Sequence, residues 1–408
     1  MLENLSHTKK IVFSILLIVI LPTIIYSNTF DATFHFDDKP SIVENYAIHR
    51  FDLKEIFSKA SRPVLEVTFA LNYYFGKLNV FGYHLVNLML HIANGIMLYF
   101  LLLWTINPIK PGNPINQTNS INKINYRVPL YASLIFVSHP IQTQAVTYIV
   151  NRSSVLATTF YLLTILFFMK AFRGANSSPV TRHSPLYLGG AFVASCLAMG
   201  TKQIAATLPV MLLIYDFYFI SDGDLKRLKH HWKAHLLIFS TLAIVFYLSF
   251  GGLKTFVSFD YAKGIPMPQE KPITSFDYFL TQLHVIPYYI KLLFIPTNLN
   301  LDYDWPITRI IDFTTVLFFV LLASLFILGL FLFRKARLVS FGIIWFFVTL
   351  SVTSSFIVIF DVIFEHRLYL PSIGFAIVIA FLISKISELQ TAKRLNRAAL
   401  HVGHGPEG

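Results

Sequence analysis

Residues 313–333 of the chain read FTTVLFFVLLASLFILGLFLF, and none of these side chains is charged. A helix over this stretch would rise about 30 Å, which is the thickness of the hydrocarbon core of a bilayer. Similar apolar stretches recur along the 408-residue chain, of which 55% is hydrophobic and only 13% is charged. Because soluble domains carry about 25% charged residues, this composition excludes a water-soluble globular enzyme and predicts one polytopic membrane bundle.

The apolar stretches predict an all-α polytopic membrane protein, a bundle of about ten transmembrane helices. The predicted spans are Ile11–Ser27, His84–Trp104, Pro129–Ile149, Val155–Ala171, Leu186–Gly200, Ile204–Phe219, Ala234–Phe250, Phe313–Phe333, Phe341–Phe360 and Leu368–Ile386. The segment Phe279–Pro296 is interrupted by Gln282, His284, Pro287 and Lys291. It is therefore predicted to lie at the interface or to re-enter the membrane rather than to span it.

The distribution of charged residues predicts the orientation of these spans. When the N-terminus is placed in the cytoplasm, most basic residues fall in segments on the cytoplasmic side of the membrane. Most acidic residues then fall in segments on the outer side. The three short outside turns contain only Arg152, Lys202 and Arg367 as basic residues. Both termini are therefore predicted to be cytoplasmic. The net charge of +12 is attributed to topology and to attraction for anionic lipid, not to nucleic-acid binding.

Two long segments, 28–83 and 251–312, are predicted on the outside. Both contain aromatic residues and short amphipathic stretches, so they are expected to fold onto the membrane surface as a lid. With the spans they form one predicted transmembrane domain at residues 1–386, followed by a short basic cytoplasmic tail at 387–408. The first span resembles a signal peptide, but its bulky end favours an uncleaved anchor. The polar stretch 108–125 is predicted to be a cytoplasmic linker.

Two adjacent carboxylates, Asp37 and Asp38, follow the first span in the sequence FHFDDK at residues 34–39. Such a pair at the outer interface is costly unless it is solvated, paired with a cation or used in chemistry. A solvated turn is one interpretation, although the flanking aromatic residues would hold the turn at headgroup level. There Asp37 or Asp38 could act as a general base on an acceptor hydroxyl, while its neighbour orients it or holds a cation.

Four polar residues lie on one face of the second span, because they are spaced three or four residues apart: His84, Asn87, His91 and Asn94. In a membrane this face must point into the bundle or into a water-filled cavity. Interhelical hydrogen bonds are the favoured interpretation for His91 and Asn94. His84 lies at the outer end of the span and is predicted to be a site residue.

Basic residues on the outer side predict a site for an anion. A guanidinium in the sequence Glu365-His366-Arg367, at the start of the last span, could bind a membrane-proximal phosphate bidentately, and a salt-bridged turn is the alternative. Considered one at a time, the other basic residues on the outer side would be interpreted as side chains that snorkel to the membrane interface. Together they predict a ring around the acidic pair, which suits a phosphate leaving group. The predicted substrate- or phosphate-binding residues are Arg62, His84, Arg152, Lys202, Glu365, His366 and Arg367.

At these residues the sequence resembles the transmembrane-and-TPR-repeat O-mannosyltransferase-like proteins and their bacterial relatives, in the glycosyltransferase C (GT-C) superfamily. The resemblance runs from Phe36 to Phe375. Its motifs are Phe36-Asp37-Asp38, Arg62-Pro63, Leu71-Asn72-Tyr73, Gly82-Tyr83-His84 with Asn87, His91 and Asn94, His139-Pro140-Ile141, Asn151-Arg152-Ser153, Lys202, Leu212-Leu213-Ile214-Tyr215-Asp216, Leu301-Asp302-Tyr303 and Arg367-Leu368-Tyr369-Leu370-Pro371.

The resemblance implies a GT-C-like bundle that transfers a hexose, typically mannose, from a polyprenyl-phosphate carrier with inversion at the sugar. It implies that Asp37 or Asp38 is the base and that Arg367, Lys202 and Arg152 contact the carrier phosphate. The implied partners are the lipid-linked donor, a protein or envelope-glycan acceptor and membrane lipid. The implied location is a bacterial inner membrane, with the active site on the extracytoplasmic side.

Three positions depart from the family pattern. Gln144 and Gln203 stand where family members often carry Glu, and Ser154 stands where Asp is common. The sequence therefore assigns no definite cofactor, and it leaves open a requirement for a divalent cation. A short basic tail follows the last span in place of the TPR array, so a protein, lipid or glycan acceptor stays open. The competing hypothesis is a transporter or flippase of a lipid-linked sugar, with polar groups at the membrane midplane.

Overall fold

The structure is a computed structural model that describes residues 6–107, 125–172, 184–251, 272–359 and 361–402. Three features predicted from the sequence lie partly or wholly outside these ranges. Residues 108–124 of the predicted linker, 252–271 of the second outer segment and 403–408 of the predicted tail lie outside the described residues.

The described chain consists of helices joined by turns, and these residues contain no β-strand. The helices are α1 (His7–Ile25), α2 (Tyr46–His49), α3 (Leu53–Lys59), α4 (Pro63–Gly76), α5 (Val80–Ile106), α6 (Arg127–Ser138), α7 (Thr143–Thr147), α8 (Arg152–Phe172), α9 (Ser184–Met199), α10 (Leu208–Tyr215), α11 (Leu225–His230), α12 (Trp232–Ser240), α13 (Leu242–Phe246), α14 (Ser275–Phe294), α15 (Phe313–Phe331), α16 (Arg337–Leu350) and α17 (Ser372–Val402).

Within the described residues, seven helical stretches are long and apolar enough to cross a membrane. They are His7–Ile25, Val80–Ile106, Ile149–Phe172, Gln203–Ile220, Trp232–Ser249, Phe313–Phe331 and Ser372–Thr391. The shorter apolar helices α6, α9 and α16 occupy the positions of three further predicted spans. The predicted class, an all-α polytopic membrane protein, is therefore confirmed. Helix α14, which covers most of residues 279–296, belongs to neither set.

Two predicted spans have different boundaries in the structure. In the span predicted at 129–149, helix α6 ends at Ser138 and the short helix α7 follows, because Pro140 lacks a backbone N–H and disfavours helical geometry at the residue before it. The span predicted at 341–360 ends its helix at Leu350. The hydroxyls of Ser351 and Thr353 then donate to the carbonyls of the preceding turn, at 2.8 and 3.2 Å, and so compete with helical hydrogen bonding.

Helices α16 and α17 cross with their backbones in contact. A Cβ atom on Gly342 would lie 2.7 Å from the carbonyl oxygen of Gly374, so only a hydrogen fits there. Small residues allow this close approach in membrane bundles. The fully buried Trp345 strengthens the crossing, because its indole N–H donates to the carbonyl oxygen of Leu370 at 2.9 Å. The crossing therefore fixes the turn at 361–371 that precedes α17.

The segments that carry the predicted site residues meet at one end of the bundle, which we call the outer end. It comprises the turn at 31–38 after α1, the segment 143–154 that includes α7 and the start of α8, the turn at 200–203 and the turn at 361–368. Helix α4 begins against the turn at 200–203, where the N–H of Val64 donates to the carbonyl oxygen of Gly200 at 3.2 Å. Basic residues of the opposite end, such as Arg127 and Arg337, bond there to Ser387 and to Tyr218.

Candidate functional site

The acidic turn, residues 33–38, gives its two aspartates different surroundings. Phe36 has a φ angle of 40°, a left-handed conformation that is uncommon for a residue with a side chain. The turn closes where the N–H of Asp38 donates to the carbonyl oxygen of His35 at 2.9 Å. As a result, Asp38 is buried, with 1% of its surface exposed, whereas Asp37 is exposed.

Asp38 is held by backbone hydrogen bonds on both carboxyl oxygens. Its Oδ2 accepts from the N–H of His35 at 3.1 Å, and its Oδ1 accepts from the N–H of Val150 at 2.8 Å. Burial raises the pKa of Asp38 from 3.8 to about 6, although both hydrogen bonds favour the ionised form. Asp38 therefore joins the acidic turn to the segment before α8.

Asp37 is held through its backbone, and its carboxylate has no hydrogen-bond partner among the described residues. The N–H of Asp37 donates to the hydroxyl oxygen of Tyr148 at 2.8 Å. The guanidinium of Arg62, at the start of α4, interacts electrostatically with the Asp37 carboxylate. Of the two aspartates, Asp37 is thus the one whose carboxylate is exposed and has no hydrogen-bond partner among the described residues.

The polar face of α5 organises this region from within the bundle. The amide of Asn87 donates to the carbonyl oxygens of Val146 and Ile149, at 3.2 and 3.4 Å, and fixes the segment that contacts both aspartates. His84 is 2% exposed, and its Nε2 bonds to the carbonyl oxygen of Ala32 at 2.9 Å. The His84 ring is thus enclosed and ties α5 to the chain before the acidic turn, and its predicted role as a site residue stays a prediction.

His91 and Asn94 form interhelical hydrogen bonds, as the favoured interpretation predicted. Both bond to the hydroxyl of Tyr369, at 2.7 and 3.1 Å. His91 also bonds to the carbonyl oxygen of Val137, and the Asn94 amide donates to that of Val155. These contacts join α5 to α6, to α8 and to the turn that follows Arg367.

The guanidinium of Arg152 is enclosed within the protein. It is fully buried, and its Nε, Nη1 and Nη2 atoms donate to Asn87 Oδ1, Asn72 Oδ1 and the Tyr83 carbonyl oxygen at 2.6, 2.7 and 3.0 Å. The guanidinium also lies over the ring of Phe69, 4.6 Å from its centroid. Every N atom of the guanidinium is therefore bonded inside the protein, and the predicted phosphate contact stays a prediction that the structure does not favour.

The remaining cations, Arg62, Lys202 and Arg367, form a cluster beside the acidic turn. Lys202 is 9% exposed and donates one N–H to Ser154 Oγ at 2.6 Å. Burial, together with repulsion from Arg62 and Arg367, lowers the pKa of Lys202 well below its usual value. Among the described residues, none of these three cations forms a direct ion pair with a carboxylate. No carboxylate of the described residues therefore neutralises one of these cations by direct contact.

Arg367 is presented to this cluster by carbonyl groups. It is 5% exposed, and its Nη1 donates to the carbonyl oxygen of Val362 at 3.1 Å while its Nη2 donates to that of Asp361. Neutral carbonyls orient a guanidinium without cancelling its charge. Glu365 and Arg367 form no salt bridge with each other in the structure, so the alternative of a salt-bridged turn is wrong.

Glu365 and His366 both form hydrogen bonds that position the turn, and their predicted contact with substrate stays a prediction. Buried Glu365 accepts from the N–H of Asn300 and from the hydroxyl of Tyr303, which ties the second outer segment to the turn. The N–H and Nδ1 of His366 lie 2.7 and 3.1 Å from Gln144 Oε1. Burial and the neighbouring cations lower the pKa of His366 well below its usual value, so its ring is neutral.

Three residues of this region escaped the sequence analysis as site residues. Tyr148 was missed because an aromatic residue near the interface is ordinary in a membrane protein. Asp361 interacts electrostatically with Arg367, Asp302 and Asp37, but nothing in its local sequence marks it. The amide of Gln144 donates to the Leu301 carbonyl oxygen at 2.7 Å, a contact that a Glu side chain could not make when ionised.

An apolar groove of about 440 Å³ lies along α13 and is lined by Leu242, Ala243, Val245, Phe246 and Ser249. It adjoins a small polar pocket, which shares two of these residues and is lined by Ser61, Met199, Lys202, Gln203, Val245, Leu248 and Ser249. The groove therefore adjoins the pocket that the side chain of Lys202 helps to line. Within the described residues, no group of three or more His, Cys, Asp and Glu side chains has an arrangement suited to a metal ion.

Comparisons with curated proteins confirm the resemblance drawn from the motifs. The chain is 26% identical over 425 residues to protein O-mannosyl-transferase TMTC3 of Homo sapiens, and the alignment covers 94% of this chain and 44% of the human protein. It is 26% identical over 402 residues to protein O-mannosyl-transferase F38B6.6 of Caenorhabditis elegans, and this alignment covers 92% of the chain and 52% of the nematode protein. The chain thus spans about half the length of these relatives. No family model and no solved structure matches.

Proposed function

We propose that this chain is a membrane glycosyltransferase that moves a hexose, mannose in the first instance, from a polyprenyl-phosphate carrier to a hydroxyl group on an extracytoplasmic acceptor. The observation that carries the proposal is the meeting of an exposed carboxylate, Asp37, with a cation cluster that has no direct ion pair among the described residues. The names of the similar proteins favour mannose as the sugar and a protein as the acceptor.

The cation cluster suits the phosphate of a lipid carrier. Loss of the sugar leaves an additional negative charge on the phosphate, and preorganised cations stabilise such a developing charge. Lys202 and Arg367 are buried, so their interaction with an anion would be little screened by water. The apolar groove that adjoins the pocket of Lys202 would accommodate the beginning of the polyprenyl chain.

The proposed reaction is a single displacement. The Asp37 carboxylate takes the proton of the acceptor hydroxyl as its oxygen attacks C1 of the sugar. The bond between C1 and the phosphate oxygen breaks, and the electron pair stays on the polyprenyl phosphate beside Lys202, Arg367 and Arg62. Attack from the face opposite the phosphate inverts the configuration at C1, and the proton is later released from Asp37 to solvent.

The location of the reaction follows from the charge distribution. Most acidic residues lie in the segments assigned to the outer side and most basic residues in the others, so we place the outer end on the extracytoplasmic side, with both termini in the cytoplasm. A bacterial inner membrane is what the resemblance implies. The transporter hypothesis finds no support in the polar face of α5. His91 and Asn94 bond to other helices and so are not presented to a substrate at the membrane midplane.

The test uses the purified full chain in lipid nanodiscs, with radiolabelled polyprenyl-phosphate mannose and a threonine-containing peptide. Asp37→Asn removes the proposed base, so transfer should fall about 100-fold or more, as expected when a general base is lost. The matched control is Asp31→Asn, an exposed aspartate of the same outer segment, which should transfer at the wild-type rate. Equal transfer by wild type and Asp37→Asn would contradict the proposal.

A further inference from the structure

Tyr148 and Val150 hold the two aspartates from one short segment. The Tyr148 hydroxyl accepts from the N–H of Asp37 at 2.8 Å, and the N–H of Val150 donates to Asp38 at 2.8 Å. The segment is itself fixed by the Asn87 amide, which donates to carbonyl oxygens on either side of Tyr148. The phenol of Tyr148 is therefore held at a defined position next to the Asp37 carboxylate.

The hydrogen-bonding capacity of the Tyr148 hydroxyl is only half used. A phenol both accepts and donates, and the bond from Asp37 occupies its acceptor side. Its own O–H has no acceptor among the described residues. Burial and the negative charges of Asp37 and Asp38 raise the pKa of Tyr148, so the phenol keeps its proton. A permanent O–H donor thus stands beside the exposed carboxylate.

We propose that Tyr148 binds the acceptor substrate, by donating its O–H to the same hydroxyl oxygen whose proton Asp37 removes. A hydroxyl group fits this pair, because it can donate to Asp37 and accept from Tyr148 at the same time. An amide nitrogen fits poorly, because it donates but has no lone pair free to accept. The inference rests on the proposed function and assigns it a further substrate-binding residue that selects hydroxyl acceptors.

The contact also orients the reacting oxygen. With one lone pair engaged by Tyr148 and the proton engaged by Asp37, the remaining lone pair of the acceptor oxygen is directed at C1 of the sugar. Such orientation contributes to the rate by restricting the bound acceptor to reactive geometries. Tyr148 lies beside the acidic turn, whereas the carrier phosphate is assigned to the cation cluster, so its loss should affect acceptor use and leave donor binding intact.

The test compares Tyr148→Phe with wild type in the nanodisc assay, varying the peptide and the lipid donor separately. Loss of one hydrogen bond in the transition state should lower kcat/KM for the peptide about 10- to 100-fold. The KM for polyprenyl-phosphate mannose should stay at the wild-type value, and the thermal midpoint should fall only by the small amount expected from losing the hydrogen bond of the Asp37 N–H. The control is Tyr161→Phe, which removes a fully buried hydroxyl bonded to Thr207 at 3.1 Å and should leave all three quantities near those of the wild type.

The possible results separate this inference from the proposed function. A wild-type value of kcat/KM for the peptide in Tyr148→Phe would overturn the inference. So would a parallel loss of donor binding and thermal stability, because that pattern indicates collapse of the acidic turn. A wild-type protein that transfers no sugar at all would instead remove the proposed function, and the inference would fall with it.

Discussion

Asp37 and Asp38 are adjacent in sequence but are not equivalent in chemistry. The left-handed conformation at Phe36 turns the chain so that one carboxylate is exposed and the other is buried against backbone N–H groups. A sequence can show that two carboxylates are adjacent. It cannot show which of them other segments will bury, because Val150 and Tyr148, which hold the pair, lie more than a hundred residues away.

The burial of Asp38 predicts a pH dependence of stability. Because its pKa rises from 3.8 in the unfolded chain to about 6 in the fold, the folded protein binds more protons between these values. This contribution is fully present below pH 4 and is lost as the pH rises through about 6, and it amounts to at most about 3 kcal/mol. Wild-type stability should therefore decline over this window relative to Asp38→Asn, which has no such group. Thermal midpoints measured from pH 4 to 7 check this, and midpoints that run parallel would contradict it.

Arg152 shows why outer cations could not be sorted from the sequence alone. It resembles Lys202 in sequence, since each is one basic residue in a short turn between apolar helices. The structure gives Arg152 acceptors on four residues (Thr68, Asn72, Tyr83 and Asn87) and an aromatic face, whereas Lys202 has one hydroxyl partner. The difference depends on which residues of α4 and α5 pack against each turn. That is a property of tertiary structure.

At the scale of helices, the apolar runs predicted the elements well and their ends less well. Hydrophobicity decides that a segment is buried in lipid, but local chemistry decides where its helix stops. Pro140 ends α6 early, and the hydroxyl groups after Leu350 end α16. Both interruptions place irregular backbone near the outer end, where the site residues lie. Prediction therefore failed at the helix ends because competing hydrogen bonds, not apolarity, determine them.

The family motif that ends in Asp216 lies at the end of the bundle opposite the candidate site. Asp216 is fully buried, and its carboxylate lies 2.7 Å from Ser221 Oγ, His231 Nδ1 and His235 Nε2. These contacts fasten the turn between α10 and α12. The motif therefore has a structural role far from the candidate site, and motif membership alone does not separate catalytic residues from those that hold helices together.

The crossing of α16 and α17 predicts a difference between two glycine variants. Gly374→Ala places a methyl group against the backbone of Gly342 and Phe346, so the helices must separate at a cost of about 1–3 kcal/mol. Because this crossing fixes the turn that carries Arg367, sugar transfer should fall as well. In the control Gly189→Ala, the added Cβ has no neighbour within 4 Å, so the thermal midpoint should be equal or higher. Equal midpoints for wild type and Gly374→Ala would contradict this account.

At the scale of the whole molecule, the charge pattern predicted the arrangement more successfully than any single motif. Assigning loops to sides placed Asp37, Arg62, Lys202 and Arg367 on one side, and the structure brings their segments together at the outer end. The same reasoning could not identify Asp361 or Tyr148. Sidedness depends on charge summed over loops, whereas individual contacts depend on how the helices pack.

The central claim is that Asp37 and the cation cluster form a single site for a lipid phosphate. The most direct test is an experimental structure of the full chain in nanodiscs with bound polyprenyl-phosphate mannose. The account predicts the phosphate within hydrogen-bond distance, about 3 Å, of Lys202 and Arg367, with C1 of the sugar facing Asp37. A phosphate bound elsewhere, with the Asp37 carboxylate remote from the sugar, would contradict it.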